Sequence, residues 1–156
     1  MKSAISLSSL LVSACLLFSS CIMPAPVPGP FYISPKVTEE PTAFLTGSAR
    51  NNTIGSLFSA FPFAIDNLRV ENASDRWSIP LPLRPGRRII NAEFNYLNRY
   101  ARADLELAAK EYEDYVVKFT TDAGLPRGDS FCEFWLEDAK SGKALTSVVR
   151  VNLLKK

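Results

Sequence analysis

Among the 156 residues there is no histidine. A Ser-His-Asp or Cys-His arrangement is therefore impossible, and so is a histidine-ligated zinc site. Three cysteines (Cys15, Cys21 and Cys132) and seven glycines complete the picture, and neither a Walker A loop nor a dinucleotide fingerprint occurs. Carboxylate chemistry stays open by composition. Glu133 and Glu137 stand four residues apart in a strand-like run, about 13 Å along one face. That is too far for a retaining glycosidase pair at roughly 5–5.5 Å, and beyond the roughly 6.5–9.5 Å of an inverting pair. Both read as solvated strand positions, so no catalytic residue, metal ligand or cofactor is assigned.

Arginines are the remaining chemistry. Arg84, Arg87, Arg88, Arg99 and Arg102 bracket one expected strand, whose ends lie about 30 Å apart for ten residues. Arg87 and Arg88, with Arg127 in the loop "DAGLPRGDS", are the candidate contacts for an anionic glycan, a lipid headgroup or a protein partner. "RGDS", Arg127–Ser130, also matches the tripeptide read by integrins, although so short a match arises easily in a polar loop. Eighteen basic residues against sixteen acidic ones give no support for a nucleic-acid partner. The sequons at Asn51 and Asn72 matter only in a eukaryotic secretory pathway. Trp77 and Trp135 are expected in the core.

The elements that would position these groups begin with an N-terminus of distinct character. Met1-Lys2 supplies a positive charge and Ala4–Phe18 an apolar stretch broken by serines, the layout of a secretory signal peptide and too short to span a bilayer. Ser19-Ser20 then stand before Cys21, and this resembles the lipobox of bacterial lipoproteins, in which cleavage precedes a cysteine that carries diacylglycerol. Val12-Ser13-Ala14-Cys15 fits the four-residue pattern better than Phe18-Ser19-Ser20-Cys21, whose Phe18 replaces the usual leucine, but cutting there would leave Leu16, Leu17 and Phe18 on the mature chain. Cys21 is therefore the expected lipid attachment site and Cys15 the alternative. A soluble secreted protein would instead join Cys21 to Cys132. With Cys21 lipidated, Cys132 would be a small core hydrophobe among Phe131, Phe134 and Trp135. The resemblance also bears on location, because Ile22 rather than aspartate follows Cys21, which points to the outer membrane facing the periplasm.

Residues 1–20 thus read as a signal peptide and residues 21–39 as a tether, with prolines at 24, 26, 28, 30 and 35 favouring polyproline II. Residues 40–156 remain for one folded domain. Its strand signals are alternations: Phe61, Phe63 and Ile65; Ile90, Ala92, Phe94 and Tyr96; Cys132, Phe134 and Leu136; Leu145, Val149, Val151 and Leu153. Turns are marked at Asp66-Asn67, Arg84-Pro85-Gly86-Arg87, Asp122-Ala123-Gly124 and Lys140-Ser141-Gly142-Lys143. Pro62 inside its strand calls for an edge or a bulge. The segment "RADLELAAKEYEDYVVKF" reads as two strands, although Leu105, Ala108, Tyr112, Tyr115 and Phe119 also fit helical spacing, so residues 101–119 could be helical. The expectation is an all-β antiparallel sandwich of seven or eight strands.

The succession "IDNLRV", "PLPLRPGRRIINAEFNY", "ADLELAAKEYEDYVVKF" and "FWLEDAKSGKAL" is similar to bacterial envelope lipoproteins with transthyretin-like or PEGA-like β-sandwich domains. Asn67 departs from that pattern, where glycine is usual, as does Lys110–Asp114 in place of a glycine turn. Such domains are structural or binding modules, so the resemblance implies a lipid-anchored module without catalytic activity, its partner an envelope protein or glycan. An inhibitor of a lysozyme or protease and a carboxylate-dependent glycan hydrolase are the other classes. Oligomeric state is not legible.

Overall fold

The computed structural model describes residues 29–51, 55, 57–125 and 131–156. Cys15, Cys21 and Arg127 lie outside the described residues. Eleven strands follow in order: β1 Ala43–Thr46, β2 Ser48–Asn51, β3 Leu57–Ile65, β4 Leu68–Arg69, β5 Leu81–Leu83, β6 Gly86–Tyr96, β7 Arg99–Ala109, β8 Asp114–Thr121, β9 Phe131–Asp138, β10 Val149–Asn152 and β11 Leu154–Lys155. One sheet runs β10-β9-β8-β1-β5 and the other β11-β7-β6-β3-β2, with β4 also paired to β3. The protein is an all-β sandwich. Its surplus over seven or eight strands consists of short pieces such as β4, β5 and β11, whose two or three residues are too few to show an alternation.

Residues 101–119 form strands rather than a helix. Along β7, Ala103, Leu105 and Leu107 are buried while Asp104 and Glu106 are exposed, and Tyr115, Val117 and Phe119 on β8 turn inward likewise. A period of two puts each apolar residue on the core face, whereas a helix would have buried only those at three- and four-residue spacing. The turn between them is closed by Tyr112 at φ 60°, with its N–H donating to the Thr42 carbonyl at 3.0 Å.

Inward side chains of both sheets make one core, centred on Leu45, Leu83, Ile90, Phe94, Val117, Phe134 and Leu136. Phe58 meets Phe94 and Tyr96 edge-on at 5.7 and 4.6 Å between centroids, a favourable aromatic geometry. β3 departs from the expected facing. Pro62 pairs with Ala92 and Ala64 with Asn91, so Phe63 is the additional residue of a bulge. The bulge shifts the parity: Phe58, Ala60 and Ile65 join the core, while Phe61 and Phe63 lie on the outer side under the turn at residues 70–74.

One pair is parallel, β1 with β8, against the expectation of a wholly antiparallel sandwich. It arises because Ala43–Asn51 is a single extended run serving both sheets, β1 in one and β2 in the other, and only Gly47 separates them. A Cβ at Gly47 would run into the Ala60 carbonyl oxygen and come within 2.9 Å of the Trp77 carbonyl, to which the Gly47 N–H already donates at 2.6 Å. Strands that pass between sheets do so at corners of this kind. Gly47→Ala is expected to cost about 1–3 kcal/mol, read as a lower urea midpoint with an unchanged slope.

Candidate functional site

One end of the sandwich gathers the turns that the sequence marks. Asp66 and Asn67 both have positive φ, 52° and 65°, the pattern of a type I′ hairpin turn between β3 and β4, which Asp and Asn tolerate with a short polar side chain. Asp66 Oδ1 accepts the Ile89 N–H at 2.9 Å, and Asp66 Oδ2 faces Arg88 at 3.1 Å. Arg88 also donates to the carbonyls of Arg84 and Pro85, at 3.0 and 3.2 Å. Its guanidinium therefore clasps the β3–β4 turn to the β5–β6 turn, where Gly86 takes φ 112°. Arg84 pairs with Glu40 at 3.1 Å.

Between these turns and β7 lies a groove of about 520 Å³. Its apolar wall is Ile89, Leu107, Ala108 and Leu145, and its polar rim is Asp66, Arg87, Arg88 and Glu106. Arg87 and Arg88, two of the candidate contacts, thus come to one place, but in different roles. Arg88, one-quarter exposed, is used by the fold. Arg87 meets Glu106 at 3.2 Å with both side chains mostly in water, at 88% and 79% exposure. Such a pair contributes about 0–1 kcal/mol, so Arg87 can exchange Glu106 for an anionic group of a ligand. An apolar wall with a rim of two cations and two anions suits an amphipathic ligand. Arg99 and Arg102 of the bracket sit near the far end of β6, where Tyr96 pairs with Arg99 and Glu93 with Arg102.

Arg102 belongs to a cluster that the sequence does not announce. It meets Glu93 at 2.6 Å and lies over the rings of Phe63 and Tyr100, at 4.1 and 5.2 Å. Glu93 is only 7% exposed and also accepts from the Asn95 amide at 2.7 Å. By parity Glu93 faces outward, and the turn at 70–74 covers it. Asn95 Oδ1, buried beside it, has no hydrogen-bond donor.

On the outer face of the five-stranded sheet Glu133, Trp135 and Glu137 alternate with the buried Cys132, Phe134 and Leu136. Glu137 accepts the indole N–H of Trp135 at 2.7 Å and faces Lys118 at 3.7 Å, while Glu133 pairs with Arg150 at 3.3 Å. Neither tryptophan is a core residue: Trp135 is half-buried on that face, and Trp77 half-buried in the turn that meets Gly47. This corrects the expectation of core indoles: strand parity decides for Trp135 and the corner contact for Trp77. Among the described residues no three His, Cys, Asp or Glu side chains group as a metal site.

Cys132 is a free thiol with 0% exposure, and burial pushes its pKa strongly upward. The folded state therefore keeps it neutral, while an unfolded chain ionises it above about pH 8.5. Its contribution to stability is full below that pH and lost as pH rises through it, by about 1.4 kcal/mol per pH unit. The decline of unfolding free energy above about pH 8.5, followed by urea titration, is expected to be shallower by that amount in Cys132→Val.

The fold and the groove define a class, a two-sheet β-sandwich with an amphipathic end groove. Compared with known proteins, the chain matches no family model, no curated protein and no solved structure. The two arginines of the groove are separable by stability. Arg88→Ala is expected to cost about 1–3 kcal/mol, because it leaves Asp66 without its ion pair and two carbonyls without a donor. Arg87→Ala is expected to stay within about 0.5 kcal/mol of wild type. Equal losses in urea unfolding would refute the different roles.

Proposed function

We propose that the chain is an outer-membrane lipoprotein facing the periplasm, lipidated at Cys21, whose β-sandwich binds an envelope component without catalysing a reaction. The observation that carries this reading is the position of Cys132. It points into the core beside Phe134 and Leu136, all three with 0% exposure. A disulfide requires the two Cα atoms to lie within about 7 Å and the thiols to meet, and a thiol turned into the core is poorly placed for that. In this reading Cys15 leaves with residues 1–20, and the burial of Cys132 disfavours a bond from it to Cys21. What remains for Cys21, after Ser19-Ser20 and before a proline-rich run, is the chemistry its surroundings resemble, acylation. Ile22 favours the outer membrane.

The binding half of the proposal rests on the end groove, where Arg87 offers a cation loosely held by Glu106 beside an apolar wall. An anionic glycan or an acidic segment of an envelope protein has the matching charge. The two acids of the groove rim, Asp66 and Glu106, are each engaged by an arginine. They serve as positioning groups in this reading.

Intact mass and membrane fractionation test the anchor in a bacterial host, with wild type beside Cys21→Ala. The expected wild-type mass begins at residue 21 and carries acyl chains, and both acylation and membrane association disappear in the variant. A mature mass beginning at Cys15 would move the attachment site. A soluble, unacylated product would overturn the proposal.

A further inference from the structure

The chain packs on the sandwich well before β1. Phe31 bridges in parallel to Arg69, the Tyr32 N–H donates to the Arg69 carbonyl at 2.8 Å, and the Tyr32 hydroxyl donates to the Pro82 carbonyl at 3.0 Å. Tyr32 packs against the core and Pro35 is buried. What the chain turns inward at Tyr32 and Pro35 it turns outward at Phe31, Ile33 and Val37, which are 45%, 76% and 52% exposed. Ile79 joins them: it is 48% exposed and lines the same shallow cleft as Ser34 and Pro82. Charges nearby are balanced: Lys36 pairs with Glu39 and Arg84 with Glu40, and the cleft itself carries one acid, Glu71, and one base, Arg76. The patch is therefore not cationic in character.

Exposed apolar side chains gathered along one segment and at the cleft beside it mark an interaction surface, and the chain length here selects the occupant. Phe31 is ten Cα steps beyond Cys21, and these span at most about 35 Å when fully extended. That is about the length of β6 with its eleven residues. A lipid on Cys21 therefore holds the Phe31 end within one domain length of the bilayer, and the patch sits where the leash attaches. We propose that Phe31, Ile33, Val37 and Ile79 form a membrane-apposed patch that enters the headgroup region of the leaflet carrying the anchor. The opposite edge of the sandwich, at β10 and β11, then faces the periplasm. This inference rests on the lipidation of Cys21.

Two chains with one reactive cysteine each test it. Ile33 and Leu154 are both exposed, at 76% and 53%, and lie at opposite edges of the sandwich, Ile33 next to the residues that dock on β4 and Leu154 on β11. In Ile33→Cys and in Leu154→Cys the buried Cys132 and an acylated Cys21 leave one reactive thiol for a fluorophore. The full acylated chain is reconstituted in phosphatidylethanolamine–phosphatidylglycerol vesicles that contain headgroup-nitroxide lipid. Several-fold stronger quenching at position 33 than at position 154 is expected. It should persist in raised salt, because the contact is apolar. Equal quenching in vesicles that retain the protein would overturn the patch while leaving the anchor standing. A label at position 33 shielded only as protein concentration rises, without quenching, would show a second copy on the patch and would also overturn the proposal. Protein left in the supernatant would instead refute the lipidation on which the inference depends.

Discussion

Both sheets depend on the run Ala43–Asn51, which leaves one sheet at Thr46 and enters the other at Ser48 with a single glycine between. That arrangement requires a backbone approach that a side chain would prevent, since the Ala60 and Trp77 carbonyls occupy the space a Cβ would take. The corner is then tied across the sandwich. The Ser48 hydroxyl donates to the Val117 carbonyl at 2.6 Å, and Arg50 donates to the Thr121 carbonyl at 3.0 Å while lying over the Phe119 ring. These bonds join β2 of one sheet to β8 of the other. They also explain the parallel pairing, because β1 must reach the corner in the direction that β8 already runs.

The same economy of fixed contacts separates structural from available groups at the end of the molecule. Arg88 donates to a carboxylate and two carbonyls and is partly withdrawn from water, so it orders two turns. Its neighbour Arg87 points to the opposite side of β6, where an exposed ion pair costs little to exchange. A one-residue step along a strand thus divides clasp from contact. Arg102 repeats the lesson at the other end, where Glu93, Phe63 and Tyr100 absorb its charge and its plane.

If Cys21 is lipidated as proposed, anchoring and folding meet in residues 31–37. A proline-rich segment reads as a spacer, yet Tyr32 and Pro35 belong to the packed domain and use its carbonyls and apolar surface. Docking shortens the span available between Cys21 and the sandwich to the ten residues before Phe31. It also leaves Phe31, Ile33 and Val37 on the outside of the docked segment.

The all-β class and most of the core were legible because strand periodicity is local. Ile90, Ala92 and Phe94, and Cys132, Phe134 and Leu136, alternate with polar residues and are buried as alternation requires. The turns were legible because Asp66-Asn67, Gly86, Gly124 and Gly142 supply the positive φ that tight turns need. Arg87 and Arg88 stood out as charges, but their roles did not, because both are arginine and differ only in which side of β6 they face and what lies there. The bulge at Phe63, the sheet change at Gly47, the burial of Glu93 and the half-exposure of Trp135 were decided by partners distant in the chain. No local pattern encodes a partner that arrives from another strand, so the sequence by itself determined the elements and their faces, and the packing of one sheet against the other decided which of those faces water still reaches.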